Sequence, residues 1–253
     1  MIALLGVLLA SDVALARPIQ NRPVVEQPEA PPDGPALWRE MAQWYLDNGM
    51  ATEALSMVAR LRDAGHDDDV LDLIQARALA ATGLPEEALS LLDRVVARAP
   101  KLAAAWSVRG VVEADLQHLP EAISALERAI ALGADDAATH NNLGFLLLSA
   151  ERCADAIPHL EAALANDGTR ARTRNNLALA LACDGQAQRA LALFRSTGTE
   201  ADARYNLGVA YERQGKLPSA LAQYDAALSA NPDHRLAQAA LDRLQSSEPE
   251  TSP

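Results

Sequence analysis

The sequence predicts an all-α fold, a solenoid of six helix pairs closed by a short C-terminal helix. Three observations predict it. Apolar residues make up 49% of the 253-residue chain but aromatic residues only 4%, so a core must be built largely from Ala and Leu. These are strong helix formers, and the residue types that favour strands are few. Small residues recur at two fixed places in a register of about 34 residues, a period typical of stacked helical repeats. Large apolar residues follow at spacings of three and four, which places them on one side of a helix.

Taken in order, residues 1–16 (MIALLGVLLASDVALA) read as a signal peptide. The apolar run from Ile2 to Ala10 is shorter than the ~20 residues that span a bilayer. Ala14-Leu15-Ala16 offers the small side chains that signal peptidase accepts, so cleavage before Arg17 and export to a bacterial periplasm or envelope are expected. The alternative is a cytoplasmic protein with an apolar leader. No Cys stands beside the cleavage point, so a lipid anchor is not expected there, nor is a transmembrane segment in the mature chain. Residues 17–34 hold five prolines and read as a semi-rigid linker, and 247–253 as a polar, disordered tail.

Between them, repeat units start at Pro35, Asp69, Ala103, Ala137 and Ala171, and a sixth at Ala201 after a shorter step. The eighth place is Ala42, Ala76, Gly110, Gly144, Ala178 and Gly208; the twentieth is always alanine, at 54, 88, 122, 156, 190 and 220. Antiparallel helices approach within ~8 Å only where the contacting side chains are this small. The twenty-first place (Leu55, Leu89, Ile123, Ile157, Leu191, Leu221) and the twenty-fourth (Val58, Leu92, Leu126, Leu160, Phe194, Tyr224) form the apolar stripe of each second helix. Gly49, Gly83, Gly185 and Gly215 end first helices, and Pro85, Pro120 and Pro218 open second ones. Pro158 lies further along the second helix of unit four and is expected to kink it or delay its start. Around Arg195–Thr199 unit five loses about one helical turn. A closing helix at 235–246 is expected to present Leu236, Ala239, Ala240 and Leu244 to the last pair.

This pattern resembles the tetratricopeptide-repeat (TPR) family over residues 35–234. The match is closest at Trp38, Ala42, Tyr45, Gly49 and Ala54, and again from Asn206 through Leu207, Gly208, Tyr211, Gly215, Ala220, Tyr224 and Ala227 to Pro232. Gln75 and Arg109 depart from it where Leu is usual, and Glu113 where an aromatic is usual. The resemblance implies a right-handed superhelix whose first helices line a concave groove, and a scaffold that binds other proteins.

On that groove the sixth place carries Glu40, Ile74, Val108, then Asn142, Asn176 and Asn206. Three successive amides would form a ladder able to donate to and accept from an extended peptide backbone. Phe145, Leu179 and Val209 at the ninth place would supply an apolar floor for a peptide or an amphipathic helix, and Arg172 and Arg174, with Arg170 and Arg204, a site for a carboxylate or acidic segment. The alternatives are asparagines bonded between repeats, a ninth place that belongs partly to the core, and arginines that are solvated surface.

Cys153 and Cys183, the only cysteines, fall at adjacent ends of antiparallel helices, so either a disulfide or two buried thiols is compatible with the pattern. His66, His118, His140, His159 and His234 are read as scattered among the units, with no second His or Cys at ligand spacing. With no phosphate-binding loop or nucleophile constellation either, neither enzymatic activity, cofactor, metal nor small-molecule substrate is expected. A net charge of −12 without a basic stripe argues against nucleic acid.

The run Asn141-Asn142-Leu143-Gly144-Phe145, followed by Arg172-Thr173-Arg174-Asn175-Asn176-Leu177-Ala178-Leu179-Ala180-Leu181 and a shortened unit, resembles the TPR proteins of bacterial tight-adherence (Flp) pilus assembly, often called TadD. That resemblance implies envelope-side support of a secretin or other pilus-assembly components. A general peptide-binding adaptor and a regulatory subunit of a separate enzyme are the alternatives.

Overall fold

A computed structural model describes residues 34–166 and 171–246. The expected signal peptide, nearly all of the proline-rich linker, Arg170 and the tail lie outside them. The described residues form thirteen α-helices and no strand. The chain divides between Asp135 and Asp136 into two compact units.

The first unit holds α1 (Pro35–Asp47), α2 (Ala51–Asp63), α3 (Asp69–Ala81), α4 (Pro85–Arg98), α5 (Ala103–Asp115) and α6 (Leu119–Ala131). The second holds α7 (Ala137–Ser149), α8 (Cys153–Asn166), α9 (Ala171–Cys183), α10 (Ala187–Thr197), α11 (Glu200–Arg213), α12 (Leu217–Ala230) and α13 (Arg235–Ser246). In each unit consecutive helices pack as antiparallel pairs. First helices also touch from pair to pair, α1 to α3 to α5 and α7 to α9 to α11, whereas second helices make no comparable contact among the described residues. Within each unit the first helices therefore form a continuous face.

Close approach explains the small residues. A Cβ added to Gly110 would sit 2.6 Å from Cγ of Leu126, one on Gly144 2.5 Å from Cγ of Leu160, and one on Gly208 2.5 Å from Cε1 of Tyr224. In these three pairs the large side chain of the second helix thus rests on the bare backbone of its partner, and in all six pairs the twentieth-place alanine is fully buried. Unit one has its core in two runs, Met57, Val58, Leu61, Leu71 and Ile74, then Leu73, Leu91, Leu92, Val95 and Val112. At the end of unit two, Tyr224 and Leu241 anchor the last cluster.

All six turns within pairs close alike. The backbone N–H of Met50, Leu84, His118, Arg152, Gln186 and Lys216 donates to the carbonyl five residues back, at 2.7–3.0 Å. This is the Schellman closure, which needs a left-handed residue just before the donor. Gly49, Gly83, Gly185 and Gly215 provide it with φ of 69–84°, but Gln117 and Glu151 adopt it at 63° and 60°. Pro85, Pro120 and Pro218 stand at the start of their helices, where no N–H partner is lost.

Helix α8 starts at Cys153 and continues through Pro158, so of the two outcomes expected of that proline a delayed start is not found. One expectation needs correcting. Helix α13 presents Ala240 and Leu244 to the last cluster as expected, but it also buries Ala237 and Leu241, while Leu236 is 62% exposed and Ala239 faces out. Both stripes follow three- and four-residue spacing. The buried one wins because it brings Leu241 onto Tyr224 and Ala220. Helix α10, at 11 residues, is shorter than the 14 of α12, and the capping box of Thr199 and Asp202 starts α11 directly after it.

Candidate functional site

The face made by α7, α9 and α11 carries the residues read as a binding surface. The three asparagines do not behave alike. Asn176 is 8% exposed and its amide donates to Oδ1 of Asn141, at 3.3 Å, on the neighbouring first helix. Asn142 and Asn206 are half-buried, and neither makes a side-chain hydrogen bond among the described residues. The ladder of three equivalent amides is therefore corrected to two available amides flanking one that joins α9 to α7. Asn175, one position earlier, accepts a hydrogen bond from the Thr197 hydroxyl at 3.1 Å.

Phe145, Leu179 and Val209 are all half-buried. Val209 packs against the cluster around Tyr224, so part of its surface belongs to the core. Arg172 and Arg174 stand on the first turn of α9, the former exposed and the latter half-buried. Partial burial pulls the Arg172 pKa below its ordinary value. Arg204 is committed elsewhere. Its Nε donates to Glu200 at 2.8 Å and its Nη1 to Gln223 at 3.1 Å. Glu200, held between Arg195 first and Arg204 second, has its pKa lowered to about 2.

Cys153 and Cys183 form a disulfide with their Cα atoms 5.9 Å apart. It joins the first residue of α8 to the last of α9. Next to it, the Gln214 amide, just beyond α11, donates to the Ala182 carbonyl at 3.2 Å. The turn-side ends of the three pairs in unit two are therefore laced by one covalent and one hydrogen bond.

The histidines are less scattered than the sequence reading had them. His140 on α7 and His159 on α8 belong to the same pair, and their Nδ1 atoms are 3.1 Å apart. One ring must donate and the other accept, so at least one is neutral in this arrangement. Their separation of 19 residues follows from antiparallel pairing and would have been legible once the helices were aligned. Among the described residues no three metal-ligating side chains gather.

In unit one the same register gives a different surface. Glu40 is exposed and Ile74 buried, and Arg77 pairs with Asp47 at 3.2 Å. The departures from the repeat pattern sit in two polar clusters. Gln75 accepts from Arg62 at 2.8 Å, and buried Asp72 is clamped by Arg62 and Arg98. Buried Glu113 is held by Arg109 at 3.2 Å and His118 at 2.9 Å. Burial also raises the Asp115 carboxyl to about 6.

Family models of the tetratricopeptide repeat match residues 73–137, 141–199 and 201–234. The chain belongs to the tetratricopeptide-repeat family. Among solved structures this TPR chain is similar to YrrB, described as a TPR protein with an unusual peptide-binding site. The two share 26% identity with a TM-score of 0.60, covering 73% of this chain and 97% of that one. It is also similar in fold to MamA from Desulfovibrio magneticus RS-1, with 22% identity, a TM-score of 0.54, and 66% and 94% of the two chains covered. The Cut9–Hcn1 assembly of the APC/C is a third, at 18% identity and TM-score 0.58, covering 83% of this chain and 42% of that one. A search of curated protein sequences finds no match. No described helix is long and apolar enough to cross a membrane.

Proposed function

We propose that this TPR protein is a non-enzymatic scaffold that holds an extended peptide segment of a partner on the α7–α9–α11 face. The observation that carries the reading is the pairing of two available amides, Asn142 and Asn206, with the half-exposed apolar side chains of Phe145 and Leu179. An extended segment has backbone donors and acceptors to satisfy, and amides match both without reading side-chain identity. Arg172 and Arg174, on the first turn of α9, bring positive charge to the end of this face, which suits a segment with acidic character. The peptide-binding description of YrrB supports the reading by similarity.

The cellular setting we propose is a bacterial envelope, where the chain supports assembly of a tight-adherence pilus or secretion machine, with a secretin among the candidate partners. Support comes from the NNLGF and RTRNNLALAL runs and the leader-like residues 1–16. A disulfide is also at home in an oxidising compartment.

The experiment is capture from envelope extract by residues 17–253, with mass-spectrometric identification, beside the Asn142→Ala/Asn206→Ala variant. A pilus or secretion component held by wild type and lost by the variant, whose helical circular dichroism is unchanged, is the expected result. Equal retention by both moves binding off this face. Specific partners unrelated to pilus or secretion machinery overturn the envelope-machine reading.

A further inference from the structure

We infer that the Cys153–Cys183 disulfide is a redox lock on α9, so that the binding face of unit two is ordered when it is oxidised and loosened when it is reduced. The functional half of this inference rests on the face proposed above, whereas the lock itself does not.

Helix α9 is the central first helix of its unit and carries Arg172, Asn175, Asn176 and Leu179. Five of its seven buried residues are polar or alanine, Thr173, Asn176, Ala178, Ala180 and Ala182, and only Leu177 and Leu181 are large. Alanine removes far less apolar surface from water than leucine, and burial free energy scales with that area. Its pair partner, α10, is the shortest helix among the described residues, at 11 residues. The preceding pair carries Glu151 in the left-handed region and Pro158 inside α8. The disulfide fixes the last residue of α9 to the buried start of α8, beside the Gln214–Ala182 contact that leads to α11.

Opening requires a dithiol reductant. Its thiolate attacks Cys183, the more exposed cysteine, forming a mixed disulfide and expelling the Cys153 thiolate. The second thiol then displaces the Cys183 thiolate, leaving the reductant as a disulfide. Two electrons pass to the protein, and the cysteines end as two thiols. The released loop spans a sequence separation of 30 residues, from the first residue of α8 to the last of α9.

The test is amide hydrogen exchange by mass spectrometry on the oxidised chain, the chain treated with dithiothreitol, and a Cys153→Ser/Cys183→Ser variant. We expect exchange in α9 to rise on the order of 10²-fold in both the reduced chain and the variant. Exchange in α1–α6 should be unchanged. Unaltered α9 protection after a verified 2 Da mass gain overturns the lock. So does a uniform rise over α7–α13, because the bond would then stabilise the unit without controlling α9. Loss of capture by the Asn142→Ala/Asn206→Ala variant is scored separately, so failure of the lock and failure of the binding face are distinguishable.

Discussion

Gln117 and Glu151 occupy the left-handed position of their turns at φ 63° and 60°, where the other four turns have glycine, and exchanging both for glycine should stabilise the protein. A side chain with a Cβ loses ~1–2 kcal/mol in this region relative to right-handed backbone. Glycine relieves that strain but gives the unfolded chain more freedom, which offsets about 0.5–1 kcal/mol. The net gain is about 0.5–1 kcal/mol per site. The two turns lie in separate compact units, so the effects should add to about 1–2 kcal/mol. For a chain of this size that corresponds to a rise in Tm of ~3–6 °C. Gly83→Gln is the reverse exchange, at φ 84°, and an added Cβ there meets nothing within 4 Å. Its cost, about 0.5–1 kcal/mol, therefore reports backbone conformation alone. Urea titration followed by circular dichroism measures all three variants. Destabilisation by Gln117→Gly, or stabilisation by Gly83→Gln, would refute the reasoning.

Other predictions follow from the packing and electrostatics. Gly144→Ala adds a Cβ 2.5 Å from Cγ of Leu160 and should cost about 1–2 kcal/mol despite alanine's better helix propensity. Combining it with Leu160→Ala should give less than the sum of the single losses in thermal melts. Burial raises the Asp115 pKa to about 6, so the folded state binds its proton more tightly than the unfolded chain. That contribution is present below about pH 4 and is lost as pH rises through 6. Asp115→Asn should therefore gain about 1–2 kcal/mol relative to wild type between pH 4 and pH 8, seen in urea midpoints. Reducing the disulfide, with its separation of 30 residues, should lower the free energy of opening α9 by at most about 3.5 kcal/mol on the loop-entropy model. Hydrogen exchange of α9 across a urea series, with and without dithiothreitol, measures that loss.

What could be read from the sequence was whatever close packing dictates. Leu126, Leu160 and Tyr224 each need a partner with no side chain, so the glycines at 110, 144 and 208 mark the register before any coordinates exist. Features that depend on partner choice were not legible. Nothing in the identity of Gln117 or Glu151 announces a left-handed residue; the turn imposes it because the pair closes the same way in all six repeats. Asn142 and Asn176 share a register place, yet only Asn176 finds Asn141. On α13 Ala240 and Leu244 pack as their spacing indicates, but Leu241 takes the place of Leu236 once Tyr224 is in reach. The His140–His159 contact needed the antiparallel alignment of α7 and α8, not spacing along one helix.

The central claim is that partners dock on the α7–α9–α11 face. Its most direct test places the photocrosslinking residue benzoylphenylalanine at position 145, on α7, or at exposed position 192, on α10, and irradiates the protein in envelope extract. The account predicts a discrete protein adduct from position 145, absent at 192 and diminished by Asn142→Ala/Asn206→Ala. Adducts from 192 alone, or from both positions without sensitivity to the asparagines, would contradict it.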